Sequence, residues 1–96
     1  MSNVKLQKEI ERKAKVFALF SDPNRLRILQ FLIIKKTVNV SDIAKEIKMS
    51  VACTSHHLQL LKDNQVLEAK REGINIFYSI VEDPFIKKLQ SLIINY

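Results

Sequence analysis

The sequence predicts a mainly α-helical domain carrying one small β-hairpin, and three observations predict it. Apolar residues recur at steps of three and four through most of the chain, the mark of helices with one buried face. Two strand-like runs, 66–71 and 74–80, the second rich in β-branched and aromatic residues, lie either side of Gly73, the one glycine among 96 residues. Only two prolines accompany it, so little of the chain is left for long loops. The order expected is helix, helix, short strand, helix, helix, strand, strand, helix, in a single domain over 1–96.

From Asn3 to Phe20, Leu6, Ile10, Ala14 and Phe17 fall at steps of four, four and three, which places them on one helix face. Val16, Leu19 and Phe20 widen that stripe toward its end. Ser21-Asp22-Pro23 then closes one helix and opens the next. Asp22 suits the N-cap, and Pro23 suits the first helical position, where its missing N–H costs nothing. Leu26, Ile28, Leu29, Phe31, Leu32 and Ile33 make this second helix apolar over most of its circumference, as expected of the central buried helix.

Thr37-Val38-Asn39-Val40 alternates and reads as a short strand. Asn39 or Ser41 can cap the following helix, whose face is Ile43, Ala44 and Ile47. Met49-Ser50 is the turn, with Lys48 at a position that often holds glycine. Ser50 caps a helix running to about Asn64, with Thr54, His57, Leu58 and Leu61 inward and Leu60 as a second apolar contact. The runs Val66–Arg71 and Ile74–Ile80 form the hairpin around Glu72-Gly73, where glycine supplies a positive φ. Asp83-Pro84 repeats the cap-plus-proline signal for a last helix over 84–95. Its apolar positions are Phe85, Leu89, Leu92, Ile93 and Tyr96, with Ile86 and Ile94 beside them.

Helix, tight turn, helix and hairpin in this order outline a winged helix-turn-helix. Ala44 fills the small position where the two helices approach, and Ile43, Ile47 and Met49 hold them together. In such a module the front of the Ser50–Asn64 helix meets base edges. Its outward residues are Val51, Ala52, Cys53, Ser55 and His56, with Gln59 one turn on. Ser, His and Gln can hydrogen-bond to bases, and Val and Ala can touch a thymine methyl. Lys62, Lys70 and Arg71 are the candidate phosphate contacts, which position a protein without reading sequence.

Composition agrees. Sixteen Lys and Arg against ten Asp and Glu leave a formal charge of +6, which favours a polyanion such as double-stranded DNA. With 47% apolar residues the chain can build a core. A chain this short nevertheless buries only roughly 60–65% of its unfolded surface, so association is expected. The Phe85–Tyr96 helix carries more apolar residues than one face against a small core requires, and such a surplus marks an interface. The run Ile28–Ile34 is too short to span a bilayer. The N-terminus lacks a signal-peptide core, and a single cysteine excludes an intramolecular disulfide. A cytoplasmic location with no membrane partner is expected.

The stretch Ala18-Leu19-Phe20-Ser21-Asp22-Pro23-Asn24-Arg25-Leu26-Arg27-Ile28-Leu29 resembles the signature of the ArsR/SmtB repressors. So do Val40-Ser41-Asp42-Ile43-Ala44, Ser55-His56-His57-Leu58 with Leu61, and Tyr78 on the second wing strand. The resemblance covers nearly the whole chain. It implies a homodimeric winged-helix repressor whose first and last helices, 3–20 and 84–95, form the dimer interface, and whose recognition helix is Ser50–Asn64.

Many members of that family release DNA on binding metal. The family's sites on the helix before the turn use cysteines, and Asn39–Asp42 has none. Its sites on the last helix use His and acidic residues, which Phe85–Tyr96 lacks. Cys53, His56 and His57 are spaced i, i+3, i+4, a weak ligand pattern in which His57 points inward instead. We therefore expect neither a metal site nor a cofactor, and the sequence names no inducer. Cys53 sits where a helix N-terminus promotes thiolate, so a redox role is a second reading against an inert small residue. A non-specific architectural or protein-interaction winged helix is the main alternative function. No Gly-rich phosphate loop or oriented nucleophile–base pair supports an enzyme.

Overall fold

Capping residues set most element boundaries, and the computed structural model describes residues 2–94. The elements are α1 (Ser2–Phe20), α2 (Pro23–Lys35), β1 (Val38–Asn39), α3 (Val40–Ile47), α4 (Val51–Asp63), β2 (Leu67–Glu72), β3 (Asn75–Ile80) and α5 (Pro84–Ile94). The expected positions Asn95 and Tyr96 at the end of the last helix lie outside the described residues.

Asp22 caps α2 by accepting from the Arg25 amide at 3.1 Å, with Pro23 in the first turn. Asp83 does the same for α5, accepting from the amides of Phe85 and Ile86. α2 is the centre of the core: Ile28, Leu29 and Leu32 are fully buried against Ile43 and Ile47 of α3, Leu58 and Leu61 of α4, and Ile86 and Leu89 of α5. Each such side chain stabilises the fold by roughly 1.5–3 kcal/mol on burial.

Among the described residues no helix ends in glycine, and α3 and α4 each close in a Schellman motif with a left-handed non-glycine residue. After α3, Lys48 (φ 58°) lets the Met49 amide reach Ala44 O at 3.1 Å and its own amide reach Lys45 O at 3.3 Å. After α4, Gln65 (φ 62°) brings the Val66 amide to Leu61 O at 2.9 Å and its own amide to Lys62 O at 3.0 Å. Val66 is completely buried by this closure, and its carbonyl accepts from Val81 N.

The strands form one antiparallel sheet in the order β1-β3-β2, with Val38 opposite Tyr78 and Leu67 opposite Ile80. The hairpin differs from the expected register by one residue. Val66 finishes the helix instead of starting the strand, Glu72 pairs with Asn75, and the turn is Gly73-Ile74. Gly73 has φ 63°, and a Cβ there would meet no atom within 4 Å, so the turn needs glycine for its backbone angle and not for space. β1 is two residues long instead of four: Asn39, its last residue, also caps α3, its Oδ1 accepting from Asp42 N at 2.9 Å, so Val40 is already helical.

α1 corrects the simplest reading of its periodicity. The stripe Leu6, Ile10 and Phe17 is exposed (60%, 59% and 53%), whereas Val16 and Leu19 from its margin are the buried contacts. α1 therefore shows two apolar faces, and only the smaller one meets this chain's own core. No helix among the described residues is long and apolar enough to cross a membrane.

Candidate nucleic-acid interface

The helix-turn-helix is built from α3, the Lys48–Ser50 turn and α4. Ala44 is buried where the helices approach, as the small position requires. Ser50 caps α4, its Oγ accepting from Cys53 N at 3.1 Å. Thr54 is completely buried, and its hydroxyl donates to Ser50 O at 2.8 Å, so the polar group is satisfied within the first turn. Thr54, Leu58 and Leu61 thus anchor the inner face of α4.

The opposite face of α4 is free. Val51, Ala52, Cys53, His56 and Gln59 are exposed, Val51 at 52%, and Ser55 is half-buried. All six sequence candidates for base contact therefore lie on the front half or outer side of one capped helix. Gln59 is engaged within the helix, its Nε2 donating to Asp63 Oδ1 at 2.8 Å. That places an acidic group beside the reader farthest from the N-terminus.

The phosphate candidates separate. Lys62 is exposed in the last turn of α4. Lys70 and Arg71 are both exposed on β2, but successive strand residues point to opposite faces. Lys70 shares its face with Glu68 and Glu72, all three lining one shallow surface cavity with Phe77 and Ser79. Arg71 shares its face with Leu67 and Ala69, the side that packs into the core. Arg71 thus has the less acidic surroundings. Lys48, exposed in the turn itself, is a further cation beside the reading surface. The signal for it was already visible: a charged residue where a tight turn usually places glycine.

His57 is half-buried, turned from the outer face, with Nδ1 3.2 Å from Arg25 Nη1 of α2. His56 and His57 rings stand 6.3 Å apart, centre to centre. Among the described residues no three His, Cys, Asp or Glu side chains group as metal ligands would. Cys53 is a free, exposed thiol.

A second surface is apolar. Phe17, Phe20, Leu26, Leu89, Leu92 and Ile93 line a groove of about 370 Å³ between α1, α2 and α5. Leu92 is 75% exposed, and Phe17 meets Phe85 edge-on at 5.8 Å. This groove continues the open stripe of α1.

Residues 22–68 match the family model described as bacterial regulatory protein, arsR family. An uncharacterized HTH-type transcriptional regulator of Methanocaldococcus jannaschii is 40% identical over 73 residues, 76% of this chain and 82% of that protein. A cadmium resistance regulatory protein CadC homolog of Staphylococcus aureus is 38% identical over 76 residues; this chain spans 79% of itself and 62% of that longer relative in the match. Among solved structures, the transcriptional repressor PagR of Bacillus anthracis superposes with a TM-score of 0.78 at 29% identity, covering 90% of this chain and 97% of that one. The homodimeric winged helix-turn-helix DNA-binding domain Mb0332 of Mycobacterium bovis gives 0.79 at 29% identity, over 91% and 79% of the two chains.

Proposed function

This chain belongs to the arsR family of bacterial regulatory proteins and is a DNA-binding transcriptional regulator, and from that premise we propose that it represses as a homodimer whose two α4 helices read successive major grooves of one palindromic operator. The observation that carries this reading is the capped, outward front of α4, with Val51, Ala52, Cys53 and His56 exposed over a buried anchor of Thr54, Leu58 and Leu61.

In the proposed complex, Ser55, His56 and Gln59 supply hydrogen-bonding groups to base edges, and Val51 and Ala52 supply apolar contact to thymine methyls. Lys62 and Arg71 meet phosphate, with Lys70 the weaker candidate between two glutamates. The Gly73 turn carries the hairpin along the flanking backbone. Dimerisation covers Leu6, Ile10 and Phe17 of α1 and Leu92 of α5, which would otherwise stay wet, and sets the two reading helices roughly 34 Å apart. The homodimeric state of Mb0332 supports this arrangement. A protein acting on chromosomal DNA in this way works in the cytoplasm.

Selection of bound duplexes from a randomised pool tests the proposal. Enrichment of an inverted repeat, its half-sites about 10 base pairs apart centre to centre, is the expected result. Salt-sensitive binding with no enriched sequence would instead describe an architectural protein.

A further inference from the structure

The guanidinium of Arg25 joins three helices. Its Nε donates to Leu19 O at 2.8 Å, and its Nη1 lies 3.2 Å from His57 Nδ1. Its backbone amide is held by Asp22 Oδ2 at 3.1 Å, which fixes the root of the side chain at the start of α2. Leu19 O belongs to the last turn of α1, where carbonyls have no partner within the helix and a cation is favoured by the helix dipole. Arginine only donates, so His57 Nδ1 is the acceptor and the proton of the neutral ring sits on Nε2.

Beyond the buried Val16 and Leu19, the seam that Arg25 crosses is open at its rim. α1 and the far end of α4 face each other across two open clefts that share Lys15 and Asn64. One, of about 370 Å³, is lined by Lys15, Ala18, Leu19, Arg25 and Asn64. The other, of about 260 Å³, runs on past Arg12 to Gln65. Where packing leaves a gap, a rigid planar fork with two aligned bonds sets the angle between the helices.

We propose that Arg25 is a positioning residue for DNA reading: through Leu19 O and His57 Nδ1 it fixes the tilt of α4 against α1. This rests on the homodimer reading above, since α1 carries the two-fold contact and its angle to α4 sets the span between the two reading helices. His57 is then the receiving end of the bridge, not a base reader. The bridge matters most when both half-sites must be engaged together.

The probes are a duplex that the wild-type protein selects from a randomised pool, and the same duplex with one half-site scrambled. Arg25→Ala and His57→Ala should each lose roughly ten- to a hundredfold in affinity for the intact duplex, the scale of one charge-assisted hydrogen bond. On the single half-site the loss should be much smaller. The double variant should lose no more than Arg25→Ala alone. Arg25→Lys, which cannot form both bonds, should behave like Arg25→Ala, while His57→Asn, whose Oδ1 replaces the acceptor, should stay near wild type. Equal loss on both duplexes, additive losses, or a salt slope lowered by about one phosphate contact would overturn the proposal. Amide exchange on the free protein judges it independently: faster exchange confined to α4 in Arg25→Ala supports the bridge, and unchanged or uniformly faster exchange contradicts it. A wild-type protein that selects no duplex would sink the operator reading, and the exchange measurement alone would then decide on the bridge.

Discussion

Arg12 of α1 and Asp83 at the head of α5 form an ion pair that uses only half of the carboxylate. Arg12 Nη2 lies 3.2 Å from Asp83 Oδ1, while Oδ2 accepts from the amides of Phe85 (3.0 Å) and Ile86 (3.1 Å). The same guanidinium lies over the Phe85 ring, 5.7 Å from its centre. One residue thus caps α5 and ties it to α1, the two helices that bear the exposed apolar surface.

Removing that carboxylate should cost more than a surface charge. Asp83→Ala loses a helix cap worth about 1 kcal/mol and a partly exposed ion pair worth roughly 0–1 kcal/mol. The sum, roughly 1–2 kcal/mol, should lower Tm by about 4–8 °C per kcal/mol for a chain of this size. Asp83→Asn, which keeps an oxygen acceptor, should recover most of the loss. Thermal unfolding at one fixed protein concentration checks this, because an associating chain has a concentration-dependent Tm.

Acid should unfold the protein through its caps. The Arg25 amide holds the Asp22 carboxylate below its ordinary 3.8, and the Ile86 amide, with help from Arg12, does the same for Asp83. The folded state therefore binds these protons less tightly than the unfolded state. Their stabilisation is fully present above the unfolded value and is lost as pH falls through the lower folded values. Tm should be level through neutral and mildly acidic pH and fall below about pH 4, with a shallower fall in Asp22→Asn and Asp83→Asn. A transition complete well above that pH would contradict the assignment.

Lys48 should respond in opposite directions to two substitutions. Its φ of 58° costs an L-residue about 1 kcal/mol or more, whereas glycine adopts it freely at a smaller cost in unfolded-chain entropy. Lys48→Gly should raise stability by up to about 1 kcal/mol, and Lys48→Val should lower it by about 1 kcal/mol or more. Chemical denaturation curves distinguish the two. Equal effects would mean that the turn is not held in the left-handed conformation.

Much of this architecture was legible because it is written in local chemistry. Asp22-Pro23 and Asp83-Pro84 announce helix starts, Ser50 announces α4, and Gly73 announces the wing turn, each through the backbone within three residues of itself. The misses are those where a residue serves two neighbours. Asn39 shortens its strand by capping α3, and Val66 leaves the hairpin to close α4. The burial of Val16 and Leu19 in place of Leu6, Ile10 and Phe17 could not be read from periodicity, because a helix with two apolar faces does not say which one its own core takes. Five of the six base-reading candidates, all but the half-buried Ser55, were legible as outward positions of a capped helix. The Arg25–His57 contact spans 32 positions and follows no spacing rule, so only the folded chain brings it into view.

Cys53, the single cysteine, stands exposed on the front turn of α4 and reports directly on whether that turn lies against nucleobases. Its alkylation by a maleimide should be slowed severalfold when a selected duplex saturates the protein, and alkylation beforehand should abolish binding to that duplex. A thiol that reacts equally fast in the complex, or an alkylated protein that still binds, would show that α4 does not enter the groove.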